Sequence, residues 1–195
     1  MHMDVHETTS DVIMIRDTND GYGLVTRLLH WGMAVAVFGL FALGWWMVGL
    51  DYYSPYYQSA PNLHRGAGIL LLIALVMRLA WRLANPKPDD SALTSLERTA
   101  SRIVHWGFYP LLFALMVSGY LISTPDGRPI DVFGLFSVPS LIQSKGLEDA
   151  AGLVHEWLAY FTIAVATLHA AGALKHHFVD KNTALTRMWS GPPAG

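Results

Sequence analysis

The sequence predicts an all-α fold: an integral membrane bundle of four antiparallel helices, running up and down, with both termini in the cytoplasm. Three observations predict it. Four apolar runs, at roughly residues 26–50, 63–84, 96–123 and 153–178, are each long enough to cross the ~30 Å hydrocarbon core of a bilayer as a helix. Charge is scarce, at 14% of the 195 residues against 52% hydrophobic, where soluble domains average about 25%. The basic residues are also lopsided. Arg16, Arg27, Arg78, Arg82, Lys87, Arg98, Arg102, Lys175, Lys181 and Arg187 fall on one side of the alternating helices, and only Arg65, Arg128 and Lys145 on the other. The positive-inside rule makes the richer side cytoplasmic.

The first helix opens with Arg27 and His30 and carries Trp45 and Trp46 toward its far end, where an interface is expected. A loop rich in Pro and Tyr, residues 51–62, follows. The second helix opens on His64-Arg65-Gly66-Ala67-Gly68 and ends near Arg78 and Arg82, whose long side chains are expected to snorkel to headgroups. Asn85-Pro86-Lys87-Pro88 stops it. The third helix has His105 early and Gly119 late. The loop after it begins with the turn residues Pro125-Asp126-Gly127 and continues into an apolar patch at residues 132–142. That patch is too short to span, so it is expected on the membrane surface or capping the bundle. Residues 1–25 read as a weakly ordered, acidic tail without a secretory signal, with His2 and His6 solvated. Residues 26–178 form the membrane domain, and residues 179–195 a cytoplasmic tail.

Composition closes off several function classes. The chain has no cysteine, which excludes disulfides, thiol catalysis, cysteine-ligated iron–sulfur clusters and covalent haem attachment within it. A net charge of -2 offers nothing to nucleic acid. What remains distinctive is histidine inside the spans, where an ionisable group is costly and points to function. In the fourth helix His155 and His169 lie ~21 Å apart along the axis and within ~40° of one face. One helix thus offers an imidazole near each side of the membrane.

Alternation of the helices assigns the other histidines to levels. His64 and His155 share the outer level, and His30, His105 and His169 the inner level. Two imidazoles fill both axial positions of a haem iron. Gly44 and Gly119 fall at the outer level, where a porphyrin needs close approach of backbone; Gly66, Gly68 and Gly172 are further candidates, although small residues are ordinary helix contacts in membranes. Zinc or copper transport is the competing use of such histidines. Its sites usually add carboxylates or thiolates, and here Glu156 sits at the outer rim and cysteine is absent. An internal echo runs beside this pattern. Arg27-Leu-Leu-His30-Trp31-Gly32 matches Arg102-Ile-Val-His105-Trp106-Gly107, and each is followed by a helix opening on a histidine. A strict twofold repeat would pair His30 with His105 and leave His169 spare, so depth alone leaves the inner pair open.

These residues carry a resemblance. RLLHW in the first helix, LHRGAGILLLIALVMRLAWRLANPKP in the second, GRPIDVFGLF in the loop, HEWLAYF, and LHAAGALKHHFVDKNTALTRM resemble the prokaryotic cytochrome b561 family over residues 23–189. The resemblance implies a four-helix membrane protein with two b-type haems that exchanges electrons with membrane quinone. It implies an oxidoreductase with ubiquinone as electron acceptor or donor, and members of the family are associated with oxidation of superoxide with ubiquinone as acceptor. His30 and His169 would hold the cytoplasmic-side haem, and His64 and His155 the outer one, with His105 the alternative inner ligand. Arg65 and Arg128 are candidate contacts for propionates of the outer haem or for an anion, and the patch at residues 132–142 is a candidate lid for a quinone pocket. The implied partners are lipid, quinone and a small donor such as superoxide, with homodimerisation left open and no nucleic acid. The alternative reading is a haem-bearing membrane anchor of a larger dehydrogenase or hydrogenase.

Overall fold

The computed structural model describes residues 14–91 and 93–191. Expectations for residues 1–13, His2 and His6 among them, and for Pro192-Pro193 lie outside the described residues. Four long helices, α1 (Leu24–Met47), α2 (Ser59–Leu83), α3 (Ser95–Ser123) and α4 (Leu147–Phe178), form an antiparallel bundle. A two-stranded sheet, β1 (Ile130–Val132) and β2 (Phe136–Val138), lies between α3 and α4, and a short α5 (Ala184–Trp189) follows α4. All four long helices are long and apolar enough to cross a membrane. Their neighbours are α1 with α2, α2 with α3, α3 with α4, and α4 with α1. The small core is Met33, Leu71, Leu75, Leu112 and Leu115. Large apolar side chains such as Trp45, Trp157 and Leu168 point outward and stay exposed, which is the surface a bilayer covers.

The helix ends show why boundaries moved. α2 begins four residues before the expected Leu63, because Pro61 sits in its first turn, where its missing N–H is not needed. α3 starts on a capping box: the Thr94 side chain accepts from the Glu97 backbone N–H, and the Glu97 carboxylate accepts from the Thr94 backbone. α4 begins six residues before the expected Leu153. Gly146, at φ 82°, turns the chain into it, and Glu148 and Asp149 sit in the first turn, where the helix dipole favours negative charge.

Segments outside the four long helices pack over both ends of the bundle. At the end that carries the termini, residues 14–23 are tied down rather than frayed. The Leu24 backbone N–H donates to the Met14 carbonyl at 2.8 Å. Buried Asp17 accepts from the Gly23 backbone N–H and from the Thr26 hydroxyl, both at 2.8 Å. α5, not anticipated in the tail, packs across the same end. The Trp31 indole donates to the Met188 carbonyl at 3.0 Å, Arg27 donates to the Trp189 carbonyl, and Arg187 donates to the Asp89 carbonyl at 2.8 Å. Lys175 bridges Glu97 at 2.8 Å and Asp180 at 2.9 Å. The Lys175 ammonium, with His176 beside it, holds the Asp180 carboxyl below the usual carboxylate range.

At the other end the sheet caps the bundle. The strands pair antiparallel, Ile130 with Val138 and Val132 with Phe136. Val132 is fully buried, packed with Ile130 and Ile69 of α2. Phe133 turns the hairpin at φ 55°, a strained value for a bulky residue. Its ring seats against Gly66, where an added Cβ would come within 2.9 Å of the ring. Gly66 thus makes room for the cap.

Candidate functional site

The five membrane histidines fall into two groups at opposite ends of the bundle. At the capped end, His64 of α2 and His155 of α4 face each other with ring centres 6.2 Å apart and planes at 77°. At the terminal end, His30 of α1 and His169 of α4 have ring centres 6.2 Å apart at 69°. His105 of α3 also neighbours His169, at 5.1 Å. With a metal–imidazole bond of ~2.0 Å and ~1.1 Å more to the ring centre, two imidazoles sharing one metal have centres ~6.2 Å apart. The His64–His155 and His30–His169 separations fit a shared iron, and the His105–His169 separation is about 1 Å short.

The capped-end pair is held by the surrounding backbone. His155 Nδ1 lies 2.9 Å from the Leu115 carbonyl oxygen, which can only accept, so Nδ1 carries the hydrogen and Nε2 is left with its lone pair. The Ser118 hydroxyl, 3.1 Å from the same nitrogen, itself donates to the Leu115 carbonyl at 2.8 Å. Metal-ligating histidines characteristically donate their second N–H to such a carbonyl. His64 faces the equivalent carbonyl of Leu40, although its buried Nδ1 forms no hydrogen bond of full geometry. Leu40 and Leu115 occupy the same step of the internal echo, and so do Gly44 and Gly119. A Cβ on Gly44 would stand 3.1 Å from His64 Cε1, and one on Gly119 would stand 3.0 Å from His155 Cε1. The glycines expected to clear a porphyrin lie against the imidazoles themselves.

A cavity of about 1680 Å³ opens at this end, lined by both histidines, Gly44, Gly68, Gly119, Arg65, Arg128, Ile130 and Phe133. That exceeds the ~300–1,000 Å³ of an ordinary ligand pocket, so it has room for a large planar group and a second molecule. Arg65 reaches the Pro61 carbonyl at 3.2 Å and Asn62 Oδ1 at 2.5 Å. Among the described residues no carboxylate pairs with it. Arg128 is engaged with Asp126 at 2.5 Å. The Arg128 backbone N–H and guanidinium hold the Asp126 carboxyl below the usual range, so that pair is ionic. Gly172 has no neighbour that a Cβ would meet.

The terminal-end group holds a contact that sequence reading missed. Arg78, expected to snorkel, stays inside the bundle with its guanidinium 2.9 Å from His30 Nδ1. Arg82 lies over the Trp106 ring at 5.4 Å. An arginine inside an apolar run was the available signal, but position near a helix end does not tell whether the side chain turns inward or snorkels. His105 Nδ1 meets the Ser101 hydroxyl at 3.2 Å, so that imidazole has a partner within its own helix.

The sequence profile described as prokaryotic cytochrome b561 matches residues 21–191. The chain belongs to the prokaryotic cytochrome b561 family. Among its relatives is cytochrome b561 homolog 2 of Escherichia coli strain K12, 46% identical over 88% of this chain and 93% of the relative. Another is the probable superoxide oxidase CybB of Yersinia pestis, 29% identical over 82% of this chain and 90% of the relative. A third, cytochrome b561 homolog 1 of E. coli K12, is 26% identical over 82% and 92% of the two chains. As a member of this family the chain is a multi-pass inner-membrane protein that binds b-type haem and carries electrons. The histidine pairs, the close-packed glycines and the cavity fit that group.

Proposed function

We propose that the chain holds two haems b and passes electrons between superoxide and ubiquinone, with the termini in the cytoplasm and the capped end outside. The observation that carries this reading is the pair of imidazole couples, each 6.2 Å apart, at opposite ends of one bundle. His64 and His155 would hold the outer haem, and His30 and His169 the inner one. Bound there, haem would supply one-electron redox chemistry, with two histidines holding each iron.

The chain's own residues do the rest. The Leu115 carbonyl keeps the hydrogen of His155 on Nδ1 and leaves the Nε2 lone pair free to hold the iron. The buried cap residues Val132 and Ile130 keep water from the hairpin side of the outer site. Arg65, without a carboxylate partner among the described residues, draws a small anion toward the cavity mouth. Each superoxide leaves as dioxygen after giving up one electron, and two electrons with two protons convert one ubiquinone to ubiquinol. The cavity, larger than one cofactor needs, is the proposed quinone site, with Phe133 at its lid.

Stopped-flow mixing of the purified, oxidised chain with superoxide tests this reading. The expected result is haem reduction on the mixing time scale, followed by reoxidation when ubiquinone is added. Arg65→Gln is expected to slow reduction several-fold and to flatten its dependence on salt, because steering is screened. Reduction no faster than by the products of superoxide dismutation would sink the superoxide assignment.

A further inference from the structure

Arg78 stands where the inner pair of histidines is built, and none of the roles above uses it. It lies in the last turns of α2, is half-buried, and among the described residues has no carboxylate within ion-pair distance. Its polar neighbours are His30, at 2.9 Å, and Tyr109. A guanidinium only donates, so His30 Nδ1 must accept, and the ring hydrogen of His30 is then on Nε2. A ligating imidazole needs the opposite arrangement, the one His155 already has through Leu115. The Arg78 contact at Nδ1 is therefore not one that a ligating His30 could keep.

We propose that Arg78 is an anchor for the inner haem. With His30 holding the iron through Nε2, the guanidinium would turn from Nδ1 to a carboxylate of the cofactor. Arg78 cannot stay on Nδ1 once Nε2 binds iron, because two donors would face each other. Turned from His30, the half-buried guanidinium would have the neutral Tyr109 hydroxyl beside it and no carboxylate among the described residues. Haem b would supply carboxylates, which a planar guanidinium suits better than a neutral acceptor. Arg78 is thus a cofactor-binding residue of the inner site, distinct from the outer candidates Arg65 and Arg128.

The proposal rests on the two-haem reading, and the test separates their failures. The full-length chain carrying His64→Ala, which leaves only the inner site, is prepared haem-free and titrated with haem b or with its dimethyl ester, which lacks the carboxylates. With Arg78 present, haem b is expected to bind about tenfold or more tighter than the ester, as a charge-assisted hydrogen bond implies. In Arg78→Leu the two are expected to bind alike, and in Arg78→Lys part of the preference is expected to return. Arg78→Gln replaces Arg78→Leu should that variant lose its helical circular-dichroism signal. An unchanged preference in the Leu or Gln variant overturns the proposal, as does the absence of any preference with Arg78 in place. A His64→Ala chain that binds neither compound overturns the two-haem reading, and the proposal with it.

Discussion

His64→Ala and His155→Ala are each expected to lose the same haem and to halve the haem content of the purified chain. The two residues come from different helices, yet their rings face each other at 6.2 Å at the capped end. Removing either leaves an iron with a single protein ligand, so the haem is lost or becomes high-spin. The inner pair lies ~21 Å away along α4 by helical rise and should keep its spectrum. Redox titration of each variant reads this directly, since the surviving component should have the same midpoint in both. Two variants that retain different components would show that His64 and His155 do not share an iron.

His30→Ala is expected to abolish the low-spin inner haem, and His105→Ala to leave both haems low-spin with at most a small shift of midpoint. Ring separation favours this order, which depth alone leaves open. His30 stands at 6.2 Å from His169, the separation of a shared iron, whereas His105 stands at 5.1 Å. His105 is also satisfied by Ser101 within its own helix, so its removal leaves a modest gap in place of an orphaned ligand. Low-temperature EPR distinguishes the cases. A high-spin signal in His105→Ala, with His30→Ala unchanged, would exchange the two residues.

Much of this arrangement is legible in the sequence. The four spans follow from uninterrupted apolar runs, and the histidine levels from helix alternation and the rise between His155 and His169. The echo that placed Gly44 and Gly119 at one level also places Leu40 and Leu115, whose carbonyls face His64 and His155. Boundaries moved where polar residues open helices: the charges of Glu148 and Asp149 looked like loop, yet they suit the positive end of α4. α5 and residues 14–23 read as tails because their order comes from long-range contacts, such as Trp31 to Met188, that no local pattern announces. Arg78 shows the same limit. Its depth was plain, but its contact with His30 depends on the rotation of α2 against α1, which depth does not fix.

The most direct measurement is a pyridine haemochrome assay on the fully loaded full-length chain, with haem counted against polypeptide by amino-acid analysis. Two non-covalent b-type haems per chain, both low-spin, is the expected result. One haem per chain would contradict the paired histidine sites at the two ends of the bundle.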